Sequence, residues 1–159
     1  MYCLCHGGIM KFAHNISVKV FCKPEDDESE VKRSLTSLFP FDLEKEKVIL
    51  DEQNAAGFND RKITIFEIRI RKDSQMNPFL KGLKKNLGGV CETIANEAES
   101  RVDDEFYFFI RLDKDKLMKE GEYYLTDSGN CFHIRISLAV FPKKKENAIS
   151  LVKGFFKTF

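Results

Sequence analysis

Cysteine, histidine and serine side chains could carry metal or nucleophilic chemistry, but in this chain they are scattered. Cys3, Cys5 and His6 stand together in the stretch CLCH near the N-terminus, and the remaining cysteines and histidines stand alone. Zinc needs four ligands, usually in two closely spaced pairs. No spacing fixes a serine or cysteine beside a histidine, and no glycine-rich phosphate loop is present. The sequence therefore predicts a non-enzymatic protein with no metal and no cofactor.

Residues 106–117, FYFFIRLDKDKL, could instead bind a ligand by ring stacking and charge. Four aromatic side chains come first, and charged residues of both signs follow them. Aromatic side chains next to arginine are typical of sheets that stack unpaired RNA bases. A buried strand that runs into a charged helix start has the same pattern, so both interpretations stay open. The RNA-recognition-motif octamer requires glycine within its basic and aromatic positions. No glycine lies between Arg101 and Glu120, so that motif does not match.

The composition is that of an ordinary folded domain. The chain has 159 residues, of which 43% are hydrophobic and 32% charged, and most of the five cysteines are predicted to be free thiols. No apolar run is long enough to cross a bilayer, and the first residues lack the pattern of a secretory signal. We therefore expect a cytoplasmic protein with one α+β domain over residues 11–159. Residues 1–10 are predicted to be a loose N-terminal extension.

Charge is segregated along the chain although the formal net charge is only +1. Residues 60–85 hold eight basic and three acidic side chains, and residues 131–159 hold six basic and one acidic. The segments 23–52 and 86–130 are acidic. A neutral protein of this kind can present a basic surface to nucleic acid. Acidic helices that face basic strands would give the same pattern.

Hydrophobic periodicity predicts an α+β fold with a largely antiparallel sheet of about four to six strands and helices packed on one face. The sequence favours a turn over residues 54–60, a β-bulge near Ile65–Phe66, and an Asn77-Pro78 start for a helix that Gly88-Gly89 end. Phe106 and Phe108 are assigned to the core. The predicted strands cover residues 12–22, 47–52, 61–73, 106–112 and 131–141. The predicted helices cover residues 25–39, 78–87, 90–100, 113–121 and 143–159.

Alternate residues of a strand point to opposite faces of a sheet. The residues that point away from the predicted helices therefore form a second face. Guanidinium groups bind phosphate and stack on bases, so this face could bind RNA. It could also be a solvated face on which Arg69 pairs with Glu67 and Arg111 with Asp113. Its members are Lys19, Phe21, Arg69, Arg71, Tyr107, Phe109, Arg111, Asp113, His133, Arg135, Ser137 and Phe141.

Two segments resemble an archaeal family of predicted RNA-binding proteins. Residues 20–40, VFCKPEDDESEVKRSLTSLFP, are similar to its N-terminal signature, a strand followed by an acidic turn and a helix. Residues 104–149 are similar to its C-terminal signature, an aromatic strand that ends in arginine-leucine-aspartate-lysine, here Arg111 to Lys114. Asp115 departs from the glutamine usual in that family. The resemblance implies a fold like that of ribosomal large-subunit protein five, RNA binding, and association with the archaeal RNA-degrading exosome.

These observations lead to two hypotheses of function. The first is a non-enzymatic domain that binds structured RNA and takes part in RNA processing or degradation. Asp113 is expected to cap the helix that follows it, and Arg111 either clamps Asp113 or binds phosphate. The second is a protein-interaction module that docks through the sheet face, or through the C-terminal helix with Phe155, Phe156 and Phe159, for instance onto exosome subunits. The candidate RNA-binding residues are Lys19, Arg69, Arg71, Tyr107, Phe109, Arg111, Lys114, His133, Arg135, Lys143, Lys144 and Lys145.

Overall fold

A computed structural model describes residues 2–5, 8–56 and 61–157, with side chains described from residue 11 onward. In these residues the strands are β1 (Tyr2–Cys5), β2 (Gly8–Lys11), β3 (Ala13–Cys22), β4 (Leu50–Ala56), β5 (Lys62–Ile70), β6 (Tyr107–Asp113) and β7 (Cys131–Leu138). The helices are α1 (Glu28–Ser37), α2 (Asp73–Leu87), α3 (Val90–Asn96), α4 (Ala98–Arg101), α5 (Lys114–Glu120) and α6 (Lys145–Lys157).

The main sheet is antiparallel and has five strands in the order β4-β5-β3-β7-β6. This confirms the predicted α+β class with a largely antiparallel sheet. β4 and β5 are neighbours in the sheet, and so are β6 and β7. β1 and β2 form a separate two-stranded antiparallel sheet.

Alternation of buried and exposed positions explains why these segments are strands. On β7, Phe132, Ile134 and Ile136 are fully buried, and the residues between them are half-buried or exposed. Ile16, Val18 and Val20 on β3 are also buried, as predicted, although Ser17 between the first two is buried as well. On β3 and β7 one face therefore contributes to the core, and the other parity is free to carry function. Strand β4 buries none of its residues.

The chain divides into two compact units, and the first consists of residues 1–16, 71–109 and 135–159. Its core is aromatic. Phe12 stacks on Phe155 with ring centroids 4.3 Å apart, and Phe108 lies 5.5 Å from Phe156. Helix α6 packs against α3 and α4 through this apolar side. The rings of Phe155 and Phe156 are buried, as the amphipathic pattern of the helix requires.

The second unit consists of residues 17–70 and 110–134. Helix α1 begins at the Asp27 cap, whose carboxylate accepts the backbone N–H groups of Ser29 and Glu30, and it buries Val31 and Leu35. Helix α1 contacts α5. Strands β4 and β5 form an antiparallel hairpin in this unit.

Two predictions about the β4–β5 hairpin were wrong. β4 starts at Leu50 and continues to Ala56, so residues 54–56, predicted as part of a turn, are strand. Strand β5 pairs with β4 residue for residue from Lys62 to Ile68, without the predicted bulge. The parity slip instead reflects Ile63 and Ile65, which are only half-buried and lie on the face opposite Phe66.

The start of helix α2 and the continuity of the next helix also differ from expectation. α2 begins at Asp73, so Pro78 lies inside the helix instead of in its first turn. Gly88 does end it, with a positive φ of 55° that suits glycine. The helix predicted over residues 90–100 is divided at Glu97 into α3 and α4.

The N-terminal cysteine and histidine cluster lies outside what the structure describes in detail. His6 and the side chains of Cys3 and Cys5 are not among the described atoms. In the described part of the chain, no group of three or more metal-ligating side chains comes together. Across the same residues, no helix combines the length and apolar character needed to span a bilayer.

Candidate nucleic-acid interface

The motif arginine-leucine-aspartate-lysine places each of its residues in a different environment. Its members are Arg111, Leu112, Asp113 and Lys114. Leu112 is fully buried in the core of the second unit, and Arg111 is exposed. The Asp113 carboxylate accepts the backbone N–H of Lys116 at 3.0 Å and caps α5, which confirms the predicted cap. Asp113 is therefore used locally, and no ion pair between it and Arg111 is present among the described residues.

Lys114 corrects the prediction that it belongs to an exposed binding surface. Its side chain is only 2% exposed, and its ammonium donates to Asp26 Oδ2 at 2.6 Å and to the Phe21 carbonyl at 2.7 Å. A buried ammonium with two acceptors cannot reach a phosphate without breaking both bonds. Lys114 therefore supports the fold where β3 ends.

Asp26 is the partner that neutralises this buried ammonium. Burial of Asp26 favours its protonated form, but the Lys114 ammonium and the backbone N–H of Lys23 outweigh burial and hold the pKa of Asp26 below its ordinary value. The pair, together with the bond to the Phe21 carbonyl, fixes the backbone at Phe21.

A partly open cavity of about 400 Å³ lies in the second unit, on the side of the strands that carries Arg111. β3 contributes Lys19 and Phe21, β6 contributes Arg111, and β7 contributes His133. We call these four residues the cavity cluster. Gly129, Cys131 and Val20 complete the lining.

The cavity cluster is electropositive because Lys19 and Arg111 have no acidic partner among the described residues. No carboxylate of the described residues forms an ion pair with Lys19 or Arg111. Phe21 is 45% exposed, so its ring is available at the wall of the cavity. Burial raises the pKa of the Cys131 thiol, and the nearby Arg111 only partly opposes that shift, so Cys131 is a neutral lining residue. The cavity combines an aromatic wall, apolar lining and unpaired positive charge.

The first unit carries a second arrangement of the predicted type. The guanidinium carbon of Arg135 lies 3.9 Å from the centroid of the Tyr107 ring. Arg135 is exposed and Tyr107 half-buried. Stacking on a ring uses the flat face of the guanidinium and leaves its in-plane N–H donors available for phosphate. Phe109 is half-buried, and its carbonyl accepts a bond from Arg101.

The basic residues before α6 also belong to the first unit. Lys143 and Lys144 are exposed and form no ion pair with described residues, whereas Lys145 lies 3.7 Å from Asp104. Phe141, just before them, is 89% exposed. This segment therefore places exposed lysine side chains next to one exposed aromatic ring, and such lysines can contact phosphate groups.

The predicted residues near β5 differ in their surroundings. Arg69 lies 3.6 Å from Glu67, as the alternative interpretation of the face expected. Asp51 stands directly opposite Glu67 on β4, so the β4–β5 hairpin is rich in acid. Arg71 follows β5 in sequence, is exposed, and has no ion-pair partner among the described residues.

The structure also bears on the docking hypothesis. Phe155 and Phe156 are 1% and 0% exposed, so they cannot serve as open anchors on α6. Phe159 lies outside the described residues. The helix face that was expected to meet a partner is used for the core of the first unit.

Sequence reasoning missed two residues of the cavity. Cys131 shares its parity on β7 with His133 and Arg135, so alternation could have identified it. Gly129 belongs to the connector before β7, and periodicity gives no information about a turn of that kind. Phe21 was placed on the second face but was left out of the candidate residues.

Comparison with known proteins gives one family and several similar structures. A family model described as RNA binding matches residues 15–138. RNA-binding protein PAB1135 of Pyrococcus abyssi is 29% identical over 146 residues, which cover 91% of this chain and 94% of that protein. Protein AF2318 from Archaeglobus fulgidus superposes with a TM-score of 0.81 at 26% identity, over 91% of this chain and 99% of that one.

A more distant structure has the same fold. Mth689 of Methanothermobacter thermautotrophicus superposes with a TM-score of 0.76 at 23% identity, over 92% of this chain and 99% of that one. Both archaeal structures carry the family designation DUF54. The architecture described above is therefore shared almost over its full length.

Proposed function

This chain belongs to the RNA-binding family whose model matches residues 15–138, and from that premise we propose that it binds RNA through its unpaired surface cations. The observation that carries the proposal is the cavity cluster, in which Lys19 and Arg111 line one cavity and have no acidic partner among the described residues. Binding requires no chemical step, so the function is that of a non-enzymatic RNA-binding protein.

The chemistry of the second arrangement supports the same proposal. Arg135, whose guanidinium carbon lies 3.9 Å from the Tyr107 ring centroid, offers N–H donors that suit a phosphate. Lys143 and Lys144 add exposed charge without neutralising acids. Phosphate contacts supply most of the affinity of a protein for RNA without sequence preference, and each contact displaces counterions. Each of these cations should therefore contribute to binding independently of base identity.

Three residues predicted from sequence to bind RNA are expected to contribute less than the others, or not at all. Arg69 and Lys145 are accompanied by acids, so we expect them to contribute less than Arg111 and Arg135. Lys114 supports the backbone beneath Phe21 and takes no part in contact with RNA. The remaining candidates, Arg71, Phe109 and His133, stay part of the proposed surface.

A binding titration on a structured RNA at several salt concentrations tests the proposal. Affinity should fall steeply with salt, because counterions are released on binding. Replacing Lys19, Arg111, Arg135 and Lys144 together by alanine should abolish measurable binding at physiological salt. A control that replaces Arg33 and Lys116, which are paired with Glu30 and Glu120, should bind as the wild type does. Retained binding in the four-residue variant would refute the proposal.

The resemblance of the two end segments supports a role in RNA processing or degradation, in association with the archaeal exosome. Mixing the purified protein with a reconstituted archaeal exosome, with and without nuclease, tests that role. Co-elution after nuclease treatment would support a direct protein contact, and co-elution lost with nuclease would indicate that RNA alone joins them. The proposed likeness to ribosomal large-subunit protein five is tested by superposing the two folds.

A further inference from the structure

We infer that the cavity of the second unit holds one unpaired nucleotide of an RNA strand, with the base against Phe21 and its phosphate between Lys19 and Arg111. This inference rests on the proposed function and specifies the part of the RNA that the cavity recognises. Such a site differs from a general basic surface, because it can bind only a base that is not held in an RNA duplex.

The size of the cavity favours a single small ligand. A volume of about 400 Å³ lies at the lower end of the range for small-molecule sites, which is about 300–1,000 Å³. A single nucleotide suits that space better than a run of stacked bases does. A base within an A-form duplex is stacked on both sides and cannot enter a recess without being extruded.

The lining residues match the two chemical halves of a nucleotide. Phe21, 45% exposed, provides a flat ring, and base–aromatic stacking tolerates any base. Lys19 and Arg111 provide positive charge that no described carboxylate neutralises. Because the Lys114 ammonium bonds the carbonyl of Phe21, the backbone that carries the ring is held in place before any ligand arrives.

Gly129 offers a way to fill the cavity without removing charge. A side chain built on Gly129 would meet no heavy atom within 4 Å of its Cβ, and Gly129 lines the cavity. Its backbone does not have the positive φ that would make a side chain strained. Gly129→Leu should therefore fold normally and occupy space that the nucleotide needs.

The experiment compares two RNA oligonucleotides of the same length and composition, one single-stranded and one folded into a blunt base-paired hairpin. Wild-type protein should bind the single strand more tightly. Phe21→Ala should lower affinity for the single strand about ten-fold, the loss expected for one stacked base, and leave the hairpin affinity unchanged. Gly129→Leu should have the same selective effect. Gly82→Leu is the matched control, because a side chain at Gly82 also meets open space and Gly82 is not among the residues that line the cavity.

The outcomes separate this inference from the proposed function. If wild type binds neither RNA, the proposed function fails. If it binds both equally, and Phe21→Ala and Gly129→Leu change neither affinity, the nucleotide site is wrong while RNA binding stands. Free nucleoside monophosphates should compete only weakly, since they lack the neighbouring phosphates of a strand. Competition as strong as that of the oligonucleotide would assign the cavity to free nucleotides and overturn the inference.

Discussion

The cavity cluster and the β4–β5 hairpin both lie in the second unit and both carry basic side chains, but they differ in the acids beside them. Lys19 and Arg111 stand without an ion-pair partner among the described residues. On the hairpin, Arg69 lies near Glu67, which itself faces Asp51 across the strands. The comparison teaches that a basic residue predicts a binding surface only when the fold leaves its charge uncompensated.

Lys114 extends the comparison to a buried cation. Lys114 follows Arg111 by three residues, yet Arg111 is exposed and has no ion-pair partner among the described residues, whereas Lys114 is 2% exposed and bonded to Asp26. The difference arises where β6 ends and α5 begins, because the strand alternation that governs Arg111 no longer applies to the first residue of the helix.

The largest expected effect is on stability, from separating the buried pair. Asp26→Ala leaves the Lys114 ammonium buried with only the Phe21 carbonyl as acceptor, so the free energy of unfolding should fall by about 3 kcal/mol. Chemical denaturation measures the loss. Asp51→Ala, which removes an exposed carboxylate from β4, is the control and should change stability by less than about 0.5 kcal/mol.

A second variant makes that test sharper. Replacing Lys114 by methionine in the Asp26→Ala background removes the buried charge and should restore part of the lost stability. If Asp26→Ala costs no more than Asp51→Ala does, Lys114 is not held by this pair, and the distinction between buried and exposed cations collapses.

Acid should weaken the same pair without any substitution. The pKa of Asp26 is lowered in the folded protein, so the unfolded chain binds more protons than the folded one in acid. The stabilising contribution is present above the ordinary aspartate pKa of about 3.9 and is lost as pH falls through the lower folded value. Denaturation curves at neutral and acidic pH should show a shallower loss for Asp26→Ala than for wild type. Parallel losses in the two proteins would contradict this assignment.

A smaller effect is expected from releasing a paired cation on the hairpin. Glu67→Gln removes the acid beside Arg69 while keeping a side chain of nearly the same shape. Affinity for RNA should rise about two-fold at low salt, since one positive charge is no longer neutralised. Glu92→Gln, on α3 of the first unit, changes the net charge equally and serves as the control. An equal rise in both variants would mean that net charge matters and local pairing does not.

The core strands could be predicted from sequence because burial alternates along them. On β7, the alternation of Phe132, Ile134 and Ile136 predicts both the strand and the face that is buried. The same logic failed on β5, where Ile63 and Ile65 are apolar but only half-buried, so an apolar parity slip did not signal a bulge. Alternation reports which residues share a face, and it does not report how deeply each is covered.

The candidate site was less predictable because its electrostatics depend on contacts distant in sequence. Lys114 and Asp26 are separated by 88 positions, and no local pattern indicates that they meet. Gly129 lines the cavity only because the connector before β7 returns beside β3 and β6. Arg111 could be placed on the exposed parity of its strand, but its lack of an acidic partner became visible only in the fold.

The measurement that tests the central claim most directly is the salt dependence of RNA binding in two double variants with the same change in net charge. One replaces Lys19 and Arg111 by alanine, and the other replaces Arg33 and Lys116, whose charges are paired. The first should bind at least ten-fold more weakly at low salt. Its plot of log affinity against log salt should be less steep, by the amount expected when about two phosphate contacts are lost. The second should keep the wild-type affinity and slope. Equal losses in the two variants would contradict the claim that uncompensated cations form the RNA-binding surface.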